Sequence, residues 1–207
     1  MSELAPTLFS TSWSSGVNAY ATVALLNLLG RVGWGDVPEE LQGNVVLAVA
    51  VVMYAVEFVA DKVPFFDSVW DAINLPIRTA VAGAIGSVYG SADDLQGVEQ
   101  AFAAGGSGAT ALASAGVKTA LRLGINTSPE PGSNIIASLL EDGLVGLVVF
   151  IAVEYPLLAA LIVAVLLASG IALVIFLAKR IRRAYDALRR HYGRGPPPSA
   201  PPPAGPA

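Results

Sequence analysis

Two pairs of carboxylates stand out first: Glu57 with Asp61, and Asp67 with Asp71. Each pair is four residues apart and therefore shares one face of a helix. Lys62 is the one cation within that run. Four carboxylates and an ammonium at the end of an apolar segment can hold a hard divalent cation, which prefers oxygen ligands, or can pass protons. The plainer alternative is an interfacial loop. Asp67 and Ser68 would then cap the next helix, Trp70 would sit at headgroup level, and Lys62 would pair with Glu57 or Asp61. Glu57 fits that alternative least, because it lies inside the apolar run.

Two further polar groups follow. Asn126, Ser128 and Glu130 sit with Thr127, Pro129 and Pro131 in a segment rich in hydroxyls and amides. A rigid connector with Ser133 capping the next helix accounts for part of it. Hydroxyls at a helix N-terminus equally suit an anion such as phosphate or a lipid headgroup. Asn134, Ser138 and Glu141 lie at i, i+4 and i+7, one polar stripe, with Asp142 beside it. In a membrane helix such a stripe faces the bundle interior; on a surface-lying segment the carboxylates would simply be wet. Asn18, with Tyr20, forms a smaller polar patch. If a metal binds, Glu57, Asp61 and Glu141 are the expected ligands, and a divalent cation is the cofactor left open.

The elements that must carry these residues are set by hydropathy. The chain has 207 residues, 54% apolar and only 14% charged, with mean hydropathy +0.62. A soluble domain is about one quarter charged, so the composition argues against a disordered chain, a nucleic-acid binder and most cytosolic enzymes. The absence of cysteine removes disulfides, thiolate metal sites and cysteine nucleophiles, and a single histidine, His191, removes a multi-histidine site. Leu157 to Ala178 carries no charge and is long enough to cross a hydrocarbon core of about 30 Å. It is closed by Lys179, Arg180, Arg182 and Arg183, a cytoplasmic marker. Asn44–Ala60, Val17–Val32, Ile73–Tyr89, Gln100–Leu123 and Ser133–Val153 complete six candidate spans. Gly83, Gly86, Gly105, Gly106 and Gly108 would let helices approach closely; the run from Gly105 to Gly108 could equally break a helix.

The expected fold is all-α: a polytopic transmembrane bundle of about six helices over residues 9–183, some re-entrant or broken. A basic juxtamembrane helix (184–194) and a disordered proline-rich tail (195–207) follow. Acidic loops at 33–43 and 90–99 fall outside, and loops at 61–72 and 124–132 inside. This places both termini in the cytoplasm of a bacterial inner membrane. A four- or five-span arrangement with one re-entrant or surface-lying segment stays open. Glu3 and the missing positive n-region argue against a secretory signal.

The chain resembles a family of bacterial integral membrane proteins catalogued as domain of unknown function 4126. The resemblance rests on Gly16–Tyr20, on Glu57–Pro64 with Asp67–Asp71, on Asn126–Pro131 with Ser133 and Asn134, and on Ser138–Asp142, and it covers roughly residues 9–183. It implies a small polytopic membrane protein and carries no catalytic residue with it. Glu57–Lys62 is also somewhat similar to the Glu-x-Gly-Asp-Lys motif of small cation/proton exchangers, though the spacing is one longer and the glycine is missing.

Three functions compete. The first is a small transporter or channel-like permease with a carboxylate-lined site open to the cytoplasm, cation or proton-coupled. The second is a lipid-headgroup-binding or lipid-modifying protein, and the third a non-catalytic scaffold whose tail docks an unknown partner. Membrane lipids are the expected partners, and a homo-oligomer stays open. An enzyme is the less favoured reading.

Overall fold

The computed structural model describes residues 3–63, 65–126 and 131–192. They form seven helices, with no strand among the described residues. These are α1 Leu4–Val17, α2 Ala19–Arg31, α3 Asn44–Ala60, α4 Phe66–Ala92, α5 Gly97–Ile125, α6 Pro131–Glu154 and α7 Pro156–Tyr192. A short 3-10 turn, Glu39–Gln42, precedes α3. Ser128 and Glu130 lie outside the described residues, as does the tail from 193.

Asn18 alone separates α1 from α2. Its extended backbone (φ −149°, ψ 99°) breaks the helix, its N–H donates to the Ser14 carbonyl, and its side chain accepts from Ala21 N–H at 2.9 Å. One residue thus ends one helix and caps the next. Pro131 and Pro156 open α6 and α7, where a missing N–H costs nothing. Phe65, with φ 69°, turns the chain left-handed into α4.

The helix directions follow from which ends meet. Glu3 and Thr7, Asp36 just beyond α2, Tyr89 late in α4, and Glu154 at the end of α6 line one cavity. Away from that end, Asn18 bonds Asp142 midway along α6, and the Val17 carbonyl accepts from Lys118 in the last third of α5. The pair α1–α2 is therefore a helical hairpin that enters from the first end and turns back at Asn18. Helices α3 to α7 then run alternately between the ends. α7 runs alongside α5, with Gly170 near Val117 and Gly124 near Leu177, and carries Lys179–Arg183 to the end opposite the start of α1. The segment from Val17 to Val32, expected as a span of its own, is the returning arm of this hairpin. Its outgoing arm, α1, lacks a long apolar run and was not among the expected spans.

The interior mixes polar and charged groups with an apolar cluster that includes Leu26, Ile85, Val145, Val148, Val149 and Val163. Ser10, Thr11, Ser12, Ser14, Ser15, Asn27, Asp67, Asp71, Arg78 and Arg122 are buried, while Val45, Val52, Val59, Leu161, Val165 and Phe176 are exposed. Two helices, Gly132–Glu154 and Pro156–Asp186, are long and apolar enough to cross a membrane, and Asn44–Ala60 is a shorter apolar helix. The remaining expected spans are helical too, but more polar.

Small residues set the packing of α5. A Cβ on Gly16 would collide with Ser114 Oγ and the Ala111 carbonyl, and one on Gly86 with Ser107 and the Ala103 carbonyl. Gly105 and Gly106 face open space instead, and α5 runs through the 105–108 segment without a break. Gly16→Ala is accordingly expected to lower the melting temperature of the purified chain by roughly 5 °C, through overpacking. Gly105→Ala should leave it unchanged or raise it, since alanine favours an open helix position by about 1 kcal/mol. Equal melting points for the two variants would refute this packing.

Candidate functional site

The end of α3 and the start of α4 bring Glu57, Asp61, Asp67 and Asp71 together, as their spacing predicts, and all four are buried. Their cations come from elsewhere. Arg78, on α4 two turns beyond Asp71, donates from Nη2 to Glu57 and, at 2.8 Å, to Asp71. Lys118 on α5 places its ammonium 2.9 Å from Asp61, 3.4 Å from Asp71, 3.6 Å from Glu57 and 3.6 Å from Glu141. It also donates to the Val17 carbonyl at 3.1 Å, at the negative end of α1. Arg122, one turn on, forms a two-pronged contact with Glu141, at 3.1 Å from Nε and 2.6 Å from Nη2. Its Nη1 donates to Asn134 at 2.8 Å and to the Asp61 carbonyl at 2.9 Å, and lies 3.5 Å from Asp67.

The polar stripe of α6 closes the site. Asn134 also donates to the Asp61 carbonyl at 3.2 Å, and Glu141 is the one carboxylate of the network with substantial exposure, 22% of its side chain. Asn126 donates to Asp67 and to Ser68, both at 2.8 Å, which locks the end of α5 to the start of α4. Asn18 donates to Asp142 at 3.2 Å, so the hairpin tip touches the same region. Asp67 does not cap α4 in the expected way: among the described residues its Oδ1 accepts from the adjacent Ser68 N–H and from Asn126.

Lys62 departs from expectation. It pairs with neither Glu57 nor Asp61. Its ammonium donates to the Phe58 carbonyl at 2.9 Å and to Ser138 at 3.3 Å, and lies over the Phe58 ring. Burial pulls the Lys62 ammonium below the ordinary lysine value, with Asp142 and Asp61 acting in the opposite sense. It is a rim residue, and the interior charges are balanced by Arg78, Lys118 and Arg122.

The network joins five carboxylates (Glu57, Asp61, Asp67, Asp71, Glu141) to three cations, an excess of two acidic groups. One oxygen each of Glu57, Asp61 and Asp71 is buried without a hydrogen-bond partner, as are Nε and Nη1 of Arg78. Glu57, Asp61 and Asp71 can each offer an oxygen within 4.8 Å of the others, a span suited to a metal ion. Lys118 already fills that corner, and a divalent ion beside its ammonium would be repelled. Glu141, expected as the third ligand, faces Arg122 instead.

At the opposite end lies a cavity of about 440 Å³, bordered by Glu3, Asp36, Asp93 and Glu154 with the Thr7 and Tyr89 hydroxyls. Both ends of the hairpin interior are thus acidic, and the buried hydroxyls of α1 lie between them.

A family model described as domain of unknown function (DUF4126) matches residues 6–176. The chain belongs to that family. No curated protein and no solved structure matches it. The matched DUF4126 span includes the whole charge network and the hairpin from Pro6 onward, and ends before the basic run of α7.

Sequence reasoning missed Arg78, Lys118 and Arg122. A signal was available: Asp71 and Arg78 share a face seven apart, and Ser114, Lys118 and Arg122 form a stripe at spacing four. Removing one partner of a buried pair leaves an uncompensated charge, which costs about 3–5 kcal/mol. Arg78→Met should therefore show a loss of that size in denaturation of the purified protein. Arg78→Met/Glu57→Gln should recover part of it, and fully additive losses in the double variant would rule out the pair as a coupled unit.

Proposed function

We propose that the chain is a proton-coupled membrane permease, built from five crossing helices, α3 to α7, around a re-entrant hairpin, α1–α2. The membrane reading draws on what is exposed and which charges are buried. Valines and leucines cover the outside of α3 and α7, while hydroxyls, amides and charges share the interior with a smaller set of apolar side chains. In lipid, apolar residues gain nothing from burial, and polar side chains join the helices. The basic run Lys179–Arg183 favours the cytoplasm for the network's end of the bundle, which sets Glu3 and Asp36 on the outer side.

The observation that carries the transport reading is the network's excess of two carboxylates, with unpartnered oxygens on Glu57, Asp61 and Asp71. Protons fit those positions better than a metal does. A proton needs one oxygen and no coordination shell, and the corner a metal would take holds Lys118. Partly exposed Glu141 is the point of exchange with cytoplasmic water. A proton arriving on Glu57 or Asp71 weakens the pair with Arg78, and one on Asp61 weakens the hold on Lys118. Both cations lie on helices that line the hairpin, so protonation shifts the balance between hairpin positions. That is the coupling a permease requires.

Two measurements test this. In vesicles with an internal pH dye, the purified chain should carry protons above the level of empty vesicles when a potential is imposed or a transported solute is present. Glu57→Gln should fall to background. Background flux for the unaltered chain, with potential and across a panel of small solutes, would overturn the proposal. For topology, the cysteine-free chain suits single-cysteine labelling. An impermeant thiol reagent applied from the periplasmic side should label Asp36→Cys and not Arg183→Cys; the opposite result would invert the bundle.

A further inference from the structure

Lys118 carries more partners than a structural ion pair needs. Its ammonium faces Asp61, Asp71, Glu57 and Glu141 at 2.9–3.6 Å and the Val17 carbonyl at 3.1 Å. The surroundings are those of a coordinated monovalent cation: several oxygens from different helices, and a helix C-terminal carbonyl aimed at one point. Five oxygens face the ammonium, more than its three N–H groups can use, and Glu57, Asp61 and Asp71 each keep their other oxygen buried without a hydrogen-bond partner. The side chain reaches this point from α5 and is itself only 3% exposed.

We propose that this is a monovalent-cation site of the ammonium class, occupied by Lys118 as a tethered cation. When the ammonium is absent, the site takes a small cation that can present N–H donors or one compact charge: ammonium, methylammonium or potassium. Divalent ions and quaternary ammonium ions do not suit it. A divalent ion is repelled by Arg78 and Arg122, both in the same network, and a quaternary ion has no donor and too much bulk. In the unaltered chain the lysine excludes these ions by occupying their position. The proposal does not depend on proton transport, since it concerns what fills the oxygen set rather than what crosses the membrane.

Removing the tethered charge and supplying a free one is the test. Lys118→Ala is purified with ammonium, methylammonium, potassium or choline chloride at fixed ionic strength, and its thermal unfolding is followed. Ammonium and methylammonium at saturating concentration should raise the melting temperature by roughly 5 °C over choline, as expected for a ligand that binds the folded state. The unaltered chain should respond equally to all four salts. If Lys118→Ala does not accumulate, folded yield in methylammonium against choline throughout extraction is the readout, with the same expectation. Lys118→Met/Asp61→Asn, which removes a main ligand together with the lysine, should lose the preference. Equal behaviour of Lys118→Ala in ammonium and choline, or an ammonium preference that survives in the double variant, would overturn the assignment. Failure here with intact proton flux would leave the permease reading standing; the reverse pattern would separate the two the other way.

Discussion

A charge taken out of water must find an opposite charge within a few ångströms, because the interior screens it poorly and an unpaired ion there is costly. That requirement organises the molecule. Arg78 cannot be buried unless α3 brings Glu57 to it, and Lys118 cannot be unless the turn after α3 brings Asp61 and α1 ends with its carbonyl pointing inward. Arg122 draws in α6 through Asn134 and Glu141. One connected set of charges therefore fixes α1, α3, α4, α5 and α6 relative to each other. Few other contacts in the bundle are as directional.

Close approach makes the network reachable. The α1–α5 contact brings backbone against backbone at Gly16, and the α4–α5 contact does so at Gly86. A bulkier residue at Gly16 would push Val17 and its carbonyl away from Lys118. The buried charges are thus paired with small-residue seams, and the apolar cluster around Leu26, Ile85 and Val148 fills the rest of the interior.

Much of this was readable in the chain itself, for reasons that differ by element. The segments 44–60 and 157–178 are unbroken apolar runs, so their helices follow from hydropathy alone. The stripe Asn134, Ser138, Glu141 and the pairs Glu57/Asp61 and Asp67/Asp71 follow from helical periodicity, and they converge. Helix α1 was not readable, because a run of serines and threonines looks like a linker when no apolar stretch surrounds it. Its stability comes from partners on other helices. The interior cations were missed for a related reason. An arginine flanked by apolar residues suggests a snorkelling side chain, and a lysine near a helix end suggests a loop flank. Only the three-dimensional position of Glu57 or Asp61 makes them buried ions. Lys62 was the reverse case: adjacent to carboxylates in sequence, it turns to Phe58 and Ser138 because its own helix end points it outward.

The hairpin has a consequence for how the protein is made. Trp13 and Val17 find their partners, Ser114 and Lys118, 101 residues later in the chain. At ordinary translation speeds of about 5–20 residues per second, the hairpin waits roughly 5–20 s for those partners to be synthesised. During that interval the Thr7, Ser10, Thr11 and Ser14 hydroxyls can donate to carbonyls of their own helix, but the Trp13 and Val17 carbonyls lack the side-chain donors they meet in the fold. A segment made early is thus among the last to be seated.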